Sequence, residues 1–176
     1  RSSGDVSEMD RTRTFLRRGA GAGVCAAVAM AALGCAGHGQ YTSEFKDQAE
    51  LRMMQMKAAT QWDLAHQQFL AGDLVKALRS VDDSIVMQPD VAKSHVLRGR
   101  IMLEMGRLES AAESLAKASE IDPEHAEARY YRGVVLERFG RFEQAFVAYG
   151  AAAELDPTNA QYAVATAEML IELGRL

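Results

Sequence analysis

The feature that most constrains this chain is that it repeats itself at an offset of 34 residues. The stretch MGRLESAAESLAKASEIDP, residues 105–123, returns as FGRFEQAFVAYGAAAELDP, residues 139–157, with Gly106 falling on Gly140, Ala111 on Ala145 and Pro123 on Pro157. One step back, the register lands on Gly72, Ala77 and Pro89. One step forward, it lands on Gly174, again followed by Arg175 and Leu176. Self-similarity at such a period marks stacked supersecondary units, because a unit this small cannot bury its own apolar face and must pack on a copy of itself.

Within residues 126–159 the apolar and small positions Tyr130, Gly133, Val134 and Phe139 recur at helical spacing, and so do Phe142, Ala145, Phe146, Tyr149, Ala152 and Ala153. Each half therefore predicts an amphipathic helix. Gly140 between them suits a left-handed C-terminal stop, which makes the unit a helix-turn-helix. Pro157 after Asp156 ends the second helix, since proline lacks a donor and restricts its predecessor. Gly133 and Ala145 remove bulk where the two backbones must approach, with Phe146 and Tyr149 filling the space beside them.

The period, the mid-helix small residues Ala65, Gly99, Gly133 and Ala167, the second-helix alanines Ala77, Ala111 and Ala145, and the prolines Pro89, Pro123 and Pro157 together resemble the tetratricopeptide repeat over residues 58–176. The resemblance implies an all-α fold, a right-handed superhelical solenoid of antiparallel helix pairs. Its units are 58–91, 92–125 and 126–159, then an incomplete fourth at 160–176. Two departures stand out: Gln68 and Val81 occupy positions of larger residues in the first unit, and Arg98 and Arg132 replace a frequent leucine. The stretch 160–173 carries Ala163, Val164, Ala165, Ala167, Met169, Leu170, Ile171 and Leu173, too apolar on too many sides for a solenoid's closing helix. Since Gly174-Arg175-Leu176 repeats the turn signature, the natural protein is expected to continue past Leu176.

Ahead of the units, 43–57 reads as a helix with Ser43 as N-cap and acidic Glu44, Asp47 and Glu50 near its start. Its Met53, Met54 and Met56 form an apolar face. Such a face can bind varied partners, but it more commonly packs on the next helix, and packing is expected here.

The N-terminus has a different composition. Arg11, Arg13, Arg17 and Arg18 precede a run, Gly19 to Leu33, built only of Gly, Ala, Val, Cys, Met and Leu. That order is the layout of a secretory signal peptide, and the run is shorter than the roughly 20 residues that span a bilayer. Residues 1–34 are therefore read as a signal-peptide region, with translation expected to start at Met9, and 35–42 as a tether. Leu33-Gly34-Cys35 resembles the lipobox of bacterial lipoproteins, which implies acylation of Cys35 and a lipid anchor. The pattern departs from that family at Ala32, where leucine is usual; an ordinary signal-peptidase cut in the Ala-rich stretch is the alternative. In that family the residue after the cysteine helps sort the protein, so the resemblance, with Ala36 in place of Asp, implies the outer membrane. Removal of Cys25 would leave one cysteine and hence no internal disulfide. A cytoplasmic adaptor that keeps its N-terminus is the competing location.

From Cys35 onward 15 Lys and Arg stand against 21 Asp and Glu, a balance of −6, which argues against a nucleic-acid partner. Catalytic and metal-ligating sets are not expected: His38, His66, His95 and His125 form no short-spaced pair with one another or with a cysteine, and the Gly-Arg turns lack the Gly-Lys-Ser/Thr ending of a phosphate loop. Asp82 and Asp83 read as solvated helix charges, and no cofactor is implied.

The resemblance instead implies a concave groove lined by first helices that receives an extended or helical peptide. By register it would present Trp62, His66 and Phe69, then Lys93, Val96, Arg100 and Leu103, then Tyr130, Val134, Glu137 and Arg138, and last Val164, Glu168 and Ile171. Trp62, Phe69 and Tyr130 would be its rigid anchors; Val96 and Val134 could equally fill contacts between repeats. The carboxylate clamp of chaperone-binding tetratricopeptide domains needs Lys, Asn and Arg where this chain has Trp62, His66, Leu97, Glu127 and Tyr131, so a chaperone C-terminus is not the expected ligand. The expectation is a non-enzymatic scaffold, lipid-anchored in the bacterial cell envelope, binding a protein or peptide, with a role in assembling envelope complexes. The alternative is the targeting arm of a larger enzyme lying beyond Leu176.

Overall fold

A computed structural model describes the backbone of residues 38–175 and the side chains of residues 43–175. The signal-peptide reading of 1–34, the start at Met9 and the lipidation of Cys35 lie outside the described residues. The chain divides into two compact units, Arg1–Leu51 and Arg52–Leu176. Of the first, only helical residues are described, and from Ser43 to Leu51 they are exposed.

The described residues form seven helices and no strand: α1 (His38–Leu70), α2 (Leu74–Met87), α3 (Ala92–Glu104), α4 (Leu108–Ile121), α5 (Ala126–Arg138), α6 (Phe142–Leu155) and α7 (Ala160–Glu172). From α2 onward each helix packs on the next, and α3 also packs on α5, so the first helices of successive units lie side by side.

The start of the array differs from the expectation. Residues 38–42 are helical rather than tether, Ser43 is interior rather than an N-cap, and α1 runs unbroken through Lys57 into the first unit. The reason is local: after Gly39 no glycine or proline interrupts the chain until Gly72, and Gln, Glu, Lys, Ala, Leu and Met favour propagation. The methionine face is also not packed. Met53, Met54 and Met56 are exposed, and burial begins at Ala58, because the 14 residues of α2 are long enough to match only the C-terminal part of α1.

Each first helix ends the same way. Gly72, Gly106, Gly140 and Gly174 have φ of 79°, 72°, 69° and 63°, the left-handed region that a Cβ disfavours. Around each, two backbone bonds close the helix; at Gly106 these are Gly106 N to Leu103 O at 3.0 Å and Arg107 N to Met102 O at 2.8 Å. This pair of bonds is the Schellman stop, which satisfies the last carbonyls of the helix and reverses the chain in a fixed direction.

The interior is a string of small clusters rather than one core. Ala65, Ala77, Val81, Leu97 and Ile101 form one; Met102, Ala111, Leu115 and Val135 the next; Ala145, Tyr149, Ala165 and Met169 the last. The crossing inside each pair is tuned by size. A Cβ on Gly99 would lie 2.7 Å from Leu115 Cγ, and one on Gly133 would lie 2.5 Å from Tyr149 Cε1. In the first unit the same register pairs Ala65 with the smaller Val81. Ala167, in the register of Gly133, is exposed among the described residues.

Two of the residues that depart from the repeat pattern, Gln68 and Arg98, find polar solutions. Gln68 Oε1 accepts from Ser80 Oγ at 2.9 Å. Arg98 reaches in both directions, donating from Nε to Asp82 Oδ1 at 2.8 Å and from Nη1 to Ser114 Oγ at 2.7 Å. An arginine in a leucine position is accommodated because helices on either side supply its acceptors.

Candidate functional site: a groove along the first helices

The side-by-side first helices α1, α3 and α5 create a groove with a cavity of about 280 Å³ at its centre, lined among others by Phe69, Arg100, Leu103, Glu104, Tyr131 and Arg138. Arg100 organises it. Its guanidinium lies 5.0 Å from the Phe69 ring centroid and 4.9 Å from that of Tyr131, contacting an aromatic ring on each neighbouring helix. Nη1 donates to Glu127 Oε1 at 3.0 Å, while Nε is buried without an acceptor. A partly buried cation held between two rings is rigid, and Arg100 lines the cavity with 23 % of its side chain still exposed.

At one end of the groove Trp62 and His66 stack with ring centroids 5.3 Å apart and planes 9° from parallel. Lys93 Nζ sits 4.5 Å from the centre of the Trp62 ring, and Trp62 Nε1 donates to Lys93 O at 3.3 Å. The other end is a cluster of tyrosines: Tyr130 lies 5.1 Å from Tyr131, 5.3 Å from Tyr149 and 5.0 Å from Tyr162, between ring centroids. Gln161 Nε2 donates to Tyr130 Oη at 2.9 Å, and Tyr149 Oη donates to Glu137 Oε2 at 2.6 Å. Burial pushes the Tyr149 phenol up, and its hydrogen bond to Glu137 pushes it further. Burial also raises Tyr131, against the opposing charge of Arg100.

The residues assigned to the groove by register separate into three groups. Phe69, Arg100, Leu103, Val134 and Arg138 converge on the central cavity. Trp62, His66 and Lys93 form the stacked cluster, while Val164, Glu168 and Ile171 are exposed along α7. Val96 is a correction: it is 1 % exposed, packed in a cluster with Ala118 and Ala128, and cannot touch a ligand. Tyr130 is held inside the tyrosine cluster, so its ring shapes the groove wall, and Glu137 is engaged by Tyr149. Glu127 and Tyr131, which the sequence places in the groove only as occupants of clamp positions, are joined to it through Arg100, and Glu104 lines the cavity without a sequence signal.

At the clamp positions the structure has the Trp62–His66 stack, buried Leu97, and Glu127 and Tyr131 engaged by Arg100. Two other histidines are structural: buried His95 bonds through Nε2 to Pro89 O at 2.8 Å, and His125 caps α5, with Nδ1 3.4 Å from Ala128 N. Among the described residues no three His, Cys, Asp or Glu side chains gather as a metal ion would require, and no helix is long and apolar enough to cross a membrane.

Comparison with known proteins agrees with this architecture. The tetratricopeptide repeat family matches residues 96–160. Among solved structures, the chain is similar to the tetratricopeptide domain of Arabidopsis OM64, with a TM-score of 0.65, 20 % identity, and coverage of 68 % of this chain and 98 % of that one. It is also similar to the first such domain of Spaghetti (RPAP3), solved with an HSP90 peptide, at a TM-score of 0.64 and 17 % identity over 68 % of this chain and 94 % of that one. A third similar structure is MamA, with a TM-score of 0.62, 18 % identity, and 68 % and 70 % of the two chains covered. No curated protein matches the chain significantly.

Proposed function

We propose that this chain, whose repeat domain is a tetratricopeptide solenoid, is a protein-binding scaffold that takes an extended or helical peptide along the groove of its first helices. The observation that carries the reading is the central cavity of about 280 Å³, lined by Phe69, Leu103, Tyr131 and an Arg100 held between two aromatic rings. The lining joins Phe69, Leu103 and Tyr131 to the charged groups of Arg100, Glu104 and Arg138, and rigid aromatic and arginine side chains supply binding free energy at low entropic cost. Similar domains of RPAP3 were solved with HSP90 and HSP70 peptides, which supports a peptide ligand. The residues at this chain's clamp positions favour a side-chain-reading site over capture of a terminal carboxylate.

The scaffold works at the bacterial cell envelope, held by acyl chains on Cys35, with the outer membrane as its location and the assembly of envelope complexes as its role. The order of basic cluster, apolar run and Leu33-Gly34-Cys35 supports this part. Two experiments test the two halves. Peptides selected from a displayed library on the full chain should lose binding to Leu103→Glu and Trp62→Ala variants of unchanged helicity; selected peptides indifferent to both would remove the groove. Intact mass of protein extracted from native membranes should show a chain starting at acylated Cys35, and an unmodified start at Met9 would move the protein to the cytoplasm.

A further inference from the structure

The repeat supplies an internal comparison on the face opposite the groove. Arg98 in α3 and Arg132 in α5 occupy the same register, 34 residues apart. Arg98 is satisfied on both sides, by Asp82 from the preceding second helix and Ser114 from the following one. The residues in register with those partners are Ala116 and Ala148, which can accept nothing. Arg132 accordingly makes no hydrogen bond or ion pair among the described residues and is exposed.

Where the acceptors are missing there is space. A cavity of about 500 Å³ is lined by Ala112, Ala116, Arg129, Arg132, Leu136 and Arg141. A second of about 360 Å³ shares Arg129, Arg132 and Leu136 with it and extends over Val147 and Ala148. Arg129 turns its guanidinium to Pro123 O at 3.1 Å, and Arg141 lies 5.6 Å from the Phe139 ring centroid. Glu120 borders the first cavity with its carboxylate taken by Lys117 Nζ at 3.1 Å, and Glu143 borders the second. Three guanidiniums thus crowd one recess of a chain whose net charge is −4.

We propose that this recess between α4, α5 and α6 is a second docking site, which takes a glutamate or aspartate side chain of an acidic segment of a partner protein into the place that Asp82 fills in the preceding unit. The carboxylate accepts from Arg132, with Arg129 and Arg141 raising the local positive potential. The apolar neighbours Leu136, Val147 and Phe139 receive an aliphatic residue beside it, which selects a peptide over a bare phosphate chain. The residues that line the recess are distinct from those that line the groove cavity, so a partner held there leaves the first-helix groove free.

The probe is a fluorescein-labelled hexapeptide of glutamate and leucine, ELEELE, titrated into the full chain by fluorescence anisotropy. Arg132→Ala should weaken binding roughly tenfold, the scale of one lost charge-assisted hydrogen bond. Ala116→Asp should weaken it similarly by installing the intramolecular carboxylate, and its unfolding midpoint should not fall, which separates occupancy from misfolding. Equal binding by the parent and both variants would overturn the proposal. So would loss of binding in Arg100→Ala but not in Arg132→Ala, which assigns the peptide to the groove. Equal affinity for a hexathymidylate would make the recess a general anion site, and self-association abolished by Arg132→Ala would give it to a second copy of the chain; either also overturns it.

Discussion

Replacing Gly133 by alanine sets two effects of opposite sign against each other. In an ordinary helix interior the change stabilises by about 1 kcal/mol, because glycine gives up more backbone freedom on folding. Here the added Cβ would stand 2.5 and 2.6 Å from two ring carbons of Tyr149, so about 1 Å of displacement is needed to restore ordinary contact. The ring cannot retreat cheaply: it is 2 % exposed, its hydroxyl is tied to Glu137 at 2.6 Å, and Tyr130 lies 5.3 Å away. Overpacking of this kind costs about 1–3 kcal/mol, so the net expectation is a loss of up to about 2 kcal/mol and a Tm lower by up to about 8 °C. Urea denaturation followed by circular dichroism measures it. The chain also contains its own control, since the first unit pairs Ala65 with Val81 at this register. In a Tyr149→Val background Gly133→Ala should be neutral or stabilising, giving a coupling of about 1.5 kcal/mol or more in the double-mutant cycle. A single Gly133→Ala variant that is more stable than the parent would refute the close-approach argument.

Gly140 and Gly150 should respond oppositely to alanine although a Cβ on either would meet nothing within 4 Å. Gly140→Ala should cost about 1 kcal/mol for its left-handed φ, and Gly150→Ala, inside α6, should gain up to about 1 kcal/mol; equal shifts in the urea midpoint would contradict this. Asp82→Ala removes the carboxylate partner of Arg98, but with 29 % and 46 % of the two side chains exposed the loss should stay near ~1 kcal/mol and shrink in added salt. The raised Tyr149 phenol favours the neutral form in the folded state. Its stabilisation is therefore complete below the ordinary tyrosine pKa of about 10 and falls as pH rises above it. Tyr149→Phe should flatten the alkaline decline in stability by up to about 1.4 kcal/mol per pH unit, with Tyr131 and Tyr162, also raised by burial, retaining part of it.

Much of the architecture was legible because its determinants are local. A left-handed glycine every 34 residues and a proline after each second helix specify where the chain turns, whatever surrounds it. The groove was legible only as a register, and register says which helix face a residue shares, not how deep it lies. Val96 shares its face with Arg100 but fills the contact with Ala118 and Ala128, and Tyr130 is absorbed by the tyrosines around it. The same limit hid the pairing of Tyr131 and Glu127 with Arg100, a residue 27 or more positions earlier.

The sequence by itself determined the period, the helix-turn-helix unit and the stacking that follows from it, since a hairpin with an apolar face and a fixed turn has only its neighbour to pack on. Only the tertiary structure decided which of two equivalent arginines is satisfied. Arg98 and Arg132 occupy identical register positions, but their acceptors must come from helices 16 residues away on either side, and there one arginine meets Asp82 and Ser114 while the other meets alanine and open space.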